Sequence, residues 1–316
     1  MIAADVVYLR PDTAEEAVDA WRRHAGARYL AGGTEIATAA RRTAAFDLRA
    51  CIDVKRIPEA NVHEICGGCL RLGAALTLSD VAEGDAFPLL NAVLRGIADR
   101  TVRNRLTLGG NLAGLLPYRE AALPLLLADA TVLTVAPGAD DRPPVRQERP
   151  LRAIFDKRLV LAPGELVLSF CVPLEAPEWP WSHYRRTRTG EVDYPLVTVA
   201  MVHDGAGIRF AVSGAHPYPF RSDAVDARLT EWFATRGSEE EIPPPSAAQS
   251  EPDSPTAQGR GGLKSNTEPQ ARGGLEPELE AIVAALGPLR ADARASLEYR
   301  GALLKNMIRA GLEDLA

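Results

Sequence analysis

The chain has 316 residues, 46% of them hydrophobic and 25% charged, and a formal net charge of −6. This is the composition of a globular protein long enough for two or three cores, and its acidic balance argues against nucleic acid or an anionic membrane surface as the main partner. No run approaches the roughly eighteen apolar residues of a membrane span, and MIAADVVYLRP lacks a basic stretch followed by an apolar one, so a cytoplasmic protein is expected.

Taken in order, the chain first reads strand, helix, strand, helix. Val6–Leu9 is a short apolar strand broken by Arg10-Pro11-Asp12, and Thr13 opens a helix with Glu16 at capping-box spacing. Ala14, Ala17, Val18 and Trp21 recur at helical spacing and predict its buried face. Arg28–Ala31 leads into Gly32-Gly33-Thr34-Glu35, after which Ile36 to Arg42 reads as helix. From Ala50 the pattern changes to short strands around turns. Ile65 to Leu72 reads as a hairpin, because Gly67-Gly68 supplies the positive φ that a tight hairpin turn requires.

Helices are predicted over Leu76–Val81 and Pro88–Arg100, followed by a loop over Arg103–Asn111, a Leu- and Ala-rich stretch over Ala121–Asp129, and a strand over Ala130–Val135. Prolines 173, 177 and 180 suit a domain junction. Beyond it, Leu196–His203 and Ile208–Val212 read as strands of an antiparallel sheet, and Ala224–Ala234, Glu278–Leu286 and Leu297–Leu312 as helices. Between those helices, Arg236 to Leu275 is rich in Pro, Gly, Ser and Gln. With few large apolar residues it cannot offset its ordering entropy, and it is expected to be a disordered loop insertion.

Two glycine turns stand out: Ala31-Gly32-Gly33-Thr34-Glu35-Ile36, between a strand and a helix, and Thr107-Leu108-Gly109-Gly110-Asn111, in a loop before a helix-like stretch. Adjacent glycines let the main chain approach a bulky anion, and exposed N–H groups at such turns bind phosphate oxygens. A following helix N-terminus adds a favourable dipole. Either turn alone is commonly no more than a tight connection. There is no Walker A lysine and no G-x-G-x-x-G opening a βαβ unit, which argues against a nicotinamide-type Rossmann domain.

Cys66-Gly67-Gly68-Cys69 has redox or metal spacing, but a zinc or iron–sulfur site needs a second ligand pair, and Cys51 and Cys171 lie in unrelated segments. Four cysteines are too few for a disulfide framework, so a hairpin with two incidental thiols is the expectation. Histidines 24, 63, 183, 203 and 216 show no ligand spacing. The basic run Arg185, Arg186, Arg188 reads equally as a solvated loop or as charge compensation for a ligand or partner.

The series AGGTEI, VRNRLTLGGNLAG, RPLRAIF with LVLAPGELVLSFCVP, HYRRTRTGEVDYPLVTVAMV and DARASLEYRGALLKNMI resembles, in this order, the FAD-binding medium subunit of the xanthine dehydrogenase (molybdenum hydroxylase) family. The resemblance runs from about Val7 to Ala310, leaving out the insertion, and LPYREAALPLLLADA and GAHPYPFRS look closest to bacterial purine- and nicotinate-type members. It implies an α+β fold: a two-subdomain, PCMH-type FAD clamp over residues 1–50 and 51–175, then an antiparallel sheet with helices over 176–316. It also implies that Ala31, Gly32, Gly33, Thr34, Glu35 and Ile36, with Thr107, Gly109, Gly110 and Asn111, wrap the FAD diphosphate. Arg185 falls where the family often has a lysine near the flavin, Tyr194 where some members place an aromatic against the ring, and Val167 on a strand lining the same pocket.

The chain departs from the family at Leu116-Pro117, where a Ser-Pro is usual, and at Glu120, where an aspartate is usual and a longer carboxylate must fold back. The resemblance further implies partners: a large subunit with the molybdenum cofactor, a small one with two [2Fe-2S] clusters, and NAD+ or another electron acceptor. A stand-alone FAD-dependent oxidase would need a catalytic base over the flavin, and no strong candidate is evident. A degenerate scaffold without FAD is the other alternative, raised by Leu116 and Glu120.

Overall fold

The computed structural model describes residues 6–42, 48–139, 142–190, 192–239 and 275–316. The first elements are β1 (Val7–Leu9), α1 (Ala14–Arg23), β2 (Ala27–Leu30), α2 (Thr34–Arg42) and β3 (Ala50–Asp53). They form a parallel sheet of order β1-β3-β2, with α1 against it. Thr13 caps α1 as its spacing predicts, accepting from the Glu16 N–H at 3.2 Å. The Glu16 carboxylate, however, reaches the N–H of Asp12 at 3.0 Å. Ala14, Ala17 and Val18 are buried against Ile52, Val135, Leu166 and Leu168, which seats this unit on the next sheet.

That sheet is antiparallel, of order β4-β5-β10-β6-β7. Its strands are β4 (His63–Cys66), β5 (Cys69–Gly73), β6 (Thr131–Ala136), β7 (Val145–Pro150) and, after the small pair β8 (Phe155–Asp156) and β9 (Arg158–Leu159), β10 (Leu166–Pro173). Between β5 and β6 run α3 (Leu78–Glu83), α4 (Pro88–Gly96), α5 (Arg100–Arg103), α6 (Leu108–Ala113) and α7 (Ala122–Leu127); α8 (Leu151–Ile154) follows β7. Gly67 (φ +59°) and Gly68 (φ +80°) make the β4–β5 turn as expected.

Three expectations need correction. The helix from Pro88 stops at Gly96, because Ala98 adopts φ +51° and breaks the chain before α5. The segment read as a loop over 103–111 holds parts of two helices, and the second glycine pair lies inside one of them, α6. Cys69 and Cys171 are disulfide-bonded, with Cα atoms 5.7 Å apart, so Cys69 is no incidental thiol. The paired strands β5 and β10 bring together cysteines 102 positions apart in the sequence.

The last elements are β11 (Trp181–Thr187), β12 (Pro195–His203), β13 (Ile208–Ser213), β14 (Phe220–Arg221), α9 (Asp223–Glu239), α10 (Leu275–Ala285) and α11 (Leu297–Leu315). Their sheet is antiparallel, of order β11-β12-β13-β14. One face packs Val197, Val199, Met201 and Phe210 against Leu229, Leu279, Ile282, Leu304 and Ile308 of the helices. The other face sends Ala200, Val202 and Ala211 into the core formed by α3 to α7. The fold is thus the mixed α+β arrangement expected, with antiparallel strands at the C-terminal end. Of the expected disordered insertion, residues 240–274 lie outside the described residues. Among the described residues no helix is long and apolar enough to cross a membrane.

Candidate functional site

The two glycine segments meet. A Cβ on Gly32 would lie 1.9 Å from the Arg105 carbonyl oxygen, so only glycine lets the β2–α2 turn press onto the turn between α5 and α6. Gly33 has φ +72° and its carbonyl accepts from the Ala37 N–H at 2.9 Å, which starts α2. The first N–H groups of an α-helix have no intrahelical acceptor. Those of Thr34, Glu35 and Ile36 have none among the described residues, and Thr34 is exposed. The Ala31 carbonyl is held from the other side by Lys55 Nζ at 3.1 Å.

The second segment is built differently. Thr107 Oγ1 caps α6 by accepting from the Gly110 N–H at 3.2 Å; Gly109 donates to the Ala74 carbonyl at 2.8 Å, Leu108 to Leu76 at 3.0 Å, and Asn111 to Thr107 at 2.8 Å. The main-chain donors of Leu108 to Asn111 are therefore already engaged, and the expectation that exposed N–H groups of this turn serve an anion does not hold for them. Glycine is needed at position 109 for packing instead: a Cβ there would lie 2.6 Å from the Ala74 methyl. Leu108 and Leu112, one helical turn apart, are fully buried and anchor α6 in the core beside Val167. Asn111 Oδ1 accepts from the Ala121 N–H at 3.3 Å.

Glu35 links the two segments. Its carboxylate accepts from the Leu115 N–H at 2.9 and 3.0 Å and from the Leu116 N–H at 3.1 Å, turning the side chain away from the free N–H groups of its own helix. Nearby Arg119 is buried and donates to the Gly114 and Lys157 carbonyls; burial pulls its pKa down, with the Glu35 charge working the other way. Leu116, where the hydroxyl of the family pattern is missing, stands exposed.

Glu120 does fold inward. It is buried, and Oε1 accepts from Arg185 Nε at 2.9 Å and from Thr198 Oγ1 at 2.6 Å, joining the end of the second segment to β11 and β12. Burial pushes its pKa up, while Arg185 and Thr198 oppose that shift. Arg185 also donates to the Asp193 carbonyl at 2.7 Å. Asp193 in turn accepts from the Tyr194 N–H at 2.7 Å and from Arg294 at 2.8 Å; chiefly because of Arg294, its pKa is held down at about 2. Half-exposed Tyr194 stacks on Tyr118, ring centres 4.9 Å apart.

Of the expected residues, 31–36 lie against Arg105 and 114–116, Thr107 to Asn111 form the start of α6, and Glu120 leads on to Arg185 and, through Asp193, to Tyr194; together with 114–119 they make up a rim. Val167 reaches this rim only through the shared core, next to an irregularity in the β10–β6 pairing. Beside Arg185 opens a cleft of about 720 Å³ lined by Arg95, Arg103, Arg185, Arg186, Arg188 and Asp99. The basic run 185–188 is therefore part of a concave surface. Sequence reasoning assigned no role to Tyr118, Arg119 and Arg294, although they lie in the segments LPYREAALPLLLADA and DARASLEYRGALLKNMI. It also missed the structural task of Arg300, which is fully buried and donates to the Leu196 and Gly214 carbonyls and to Asp292. An arginine at a buried helix position was the signal for that role.

A glycine-built turn and helix N-terminus thus lie beside an antiparallel sheet, joined to it through buried Glu120 and its partner Arg185, in a chain of mixed α+β fold. Its fold matches a chain of the carbon monoxide dehydrogenase from Hydrogenophaga pseudoflava with a TM-score of 0.75 at 22% identity, covering 100% of this chain and 98% of that one. A chain of quinoline 2-oxidoreductase from Pseudomonas putida 86 matches with a TM-score of 0.70 at 18% identity, covering 98% of each chain. At these identities the likeness is one of fold.

The family model described as the FAD binding domain in molybdopterin dehydrogenase matches residues 3–175, and the chain belongs to that family. It is 28% identical over 222 residues to the nicotine 6-hydroxylase medium subunit of Paenarthrobacter nicotinovorans, spanning 66% of this chain and 74% of that one. It is 25% identical over 277 residues to the aldehyde oxidoreductase FAD-binding subunit PaoB of Escherichia coli, spanning 71% and 86%. Against the xanthine dehydrogenase of Dictyostelium discoideum, 26% identity over 214 residues covers 61% of this chain but only 16% of that protein. The chain is an FAD-binding medium subunit of the molybdenum hydroxylase family, an oxidoreductase component.

Proposed function

We propose that this subunit holds FAD at the junction of its two glycine segments and carries electrons from a partner's [2Fe-2S] clusters to NAD+ or another acceptor. Substrate oxidation would take place on a large partner subunit with the molybdenum cofactor, in a cytoplasmic complex. The observation that carries this reading is the contact of Gly32 with Arg105, which sets the first N–H groups of α2, without an acceptor among the described residues, beside the second segment.

The residues fit a flavin dinucleotide. The N–H groups of Gly33, Thr34, Glu35 and Ile36 would hold the diphosphate, each charge-assisted bond contributing about 1.5–3 kcal/mol. The α2 dipole adds to this attraction. Gly32, Thr107, Gly109, Gly110 and Asn111 shape the wall. Glu120, Arg185 and Tyr194 would bound the ring end, with Val167 supporting them from the core. Bound FAD supplies the redox chemistry, taking electrons singly and releasing them as a pair, while the protein sets orientation and access. The arginine-lined cleft beside Arg185 supports an anionic acceptor such as NAD+. Residues 1–50 and 51–175 would act as the two halves of the clamp, and 176–316 as the cover.

An anaerobic reduction experiment tests this reading. The flavin of the isolated subunit should stay oxidised with a hydroxylase substrate and become reduced once the molybdenum and iron–sulfur subunits are added. Reduction of the isolated, metal-free chain by an organic substrate at enzymatic rates would make it a stand-alone oxidase instead.

A further inference from the structure

The hairpin β4–β5 and strand β10 bring three of the four cysteines onto one patch of sheet. Cys66 and Cys69 are directly opposite each other as the closing pair of the two-residue turn Gly67-Gly68. Side chains of opposite residues share a face, and the Cα separation of a hydrogen-bonded pair is about 5.5 Å, within the range that a disulfide spans. On its other side Cys69 is opposite Pro173, so Cys171, two residues away, shares the same face. Cys69 is already bonded to Cys171, while Cys66 carries a free thiol and is partly exposed, as is Cys171.

We infer that these residues form an intramolecular thiol–disulfide exchange site, in which one disulfide moves between the Cys69–Cys171 and Cys66–Cys69 pairings. The Cys66 thiolate attacks Cys69 Sγ; the Cys66–Cys69 bond forms, the Cys69–Cys171 bond breaks, and Cys171 leaves as a thiolate that takes up the proton Cys66 gave off. The exchange is redox-neutral and needs no added oxidant. Its consequence is topological. The Cys69–Cys171 bond closes a loop with a sequence separation of 102 that contains α3 to α7, and with them Thr107 to Glu120. The Cys66–Cys69 bond closes only the hairpin turn. Exchange therefore releases the covalent closure around the second glycine segment while the β5–β10 hydrogen bonds remain. The inference rests on the cysteine geometry and is independent of what the rim binds.

Peptide mapping of the full chain tests it. The protein is equilibrated in a glutathione redox buffer, quenched with acid, capped with N-ethylmaleimide and digested with trypsin without reduction. Cys66 and Cys69 fall in one peptide, Ile57–Arg71, and Cys171 in another, Leu159–Arg185. Two forms are expected: the peptides cross-linked with the cap on Cys66, and Ile57–Arg71 bridged internally, two hydrogens lighter, with the cap on Cys171. In Cys171→Ser the free-thiol count should fall from three to one on oxidation, leaving Cys51. Cys66→Ser should show the cross-link alone. The inference is overturned if Ile57–Arg71 is never bridged internally in the wild-type chain, or if Cys171→Ser keeps three free thiols in a buffer that oxidises the wild type. Should Cys171→Ser fail to fold, the wild-type map decides alone.

Discussion

Gly32→Ala probes the junction on which the account depends. The added methyl would sit 1.9 Å from the Arg105 carbonyl oxygen and 3.0 Å from its carbon. Both are backbone atoms, so no side chain can rotate aside. Relaxing from 1.9 Å to the 3.4 Å at which ordinary contact begins means opening the junction by about 1.5 Å. Overpacking of this kind costs about 1–3 kcal/mol. A shift of that size also spoils hydrogen bonds between the α2 N–H groups and a diphosphate, because such bonds weaken steeply outside about 2.7–3.2 Å. Losing one or two charge-assisted bonds of about 1.5–3 kcal/mol should weaken FAD binding at least about tenfold. The assay is FAD titration of the apo subunit by flavin fluorescence quenching, with a urea melt to read stability separately. Unchanged affinity and an unchanged urea midpoint would refute the argued contact. Unchanged affinity with lowered stability would place the diphosphate elsewhere.

Glu35→Ala removes the acceptor of the Leu115 and Leu116 N–H groups and should destabilise the subunit by about 1–2 kcal/mol in urea melts, with weaker FAD retention. Burial, with help from the Arg185 charge, lowers the His183 pKa from 6.5 to about 4, so as pH falls the unfolded chain takes up that proton first. The resulting stability, of order 3 kcal/mol, is fully present above pH 6.5 and lost progressively towards pH 4; urea midpoints at pH 7 and pH 5 should differ less in His183→Gln than in the wild type. Gly301→Ala, in α11, would meet only Leu289 Cδ1 at 3.9 Å and should raise stability by up to about 1 kcal/mol without altering flavin content.

How far the sequence revealed these features depended on whether the cause was local. The β4–β5 hairpin was legible because Gly67-Gly68 encodes its own turn, and α1 because Thr13 and its apolar spacing are short-range signals. The strands from Leu196 and Ile208 were legible as apolar runs. The second glycine segment misled because two glycines in six residues oppose a helix. The helix forms there because Thr107 caps it and because Leu108 and Leu112 have a core to enter, which is a tertiary cause. The Cys69–Cys171 pair, the Glu120–Arg185 contact and the Tyr118–Tyr194 stack each join residues far apart in sequence and left no local trace. The glycine residues of the candidate rim were legible as motifs. Which of their N–H groups are free was decided by acceptors on Ala74 and Leu76.

Comparing the affinities of FAD, FMN and riboflavin for the apo subunit tests the central claim most directly, since FAD alone of the three carries the diphosphate bridge that the α2 N–H groups would read. FAD should bind at least about tenfold more tightly than FMN, equivalent to one charge-assisted hydrogen bond, and Gly32→Ala should narrow that gap. Equal affinities for FAD and FMN, or no flavin binding at all, would contradict the account.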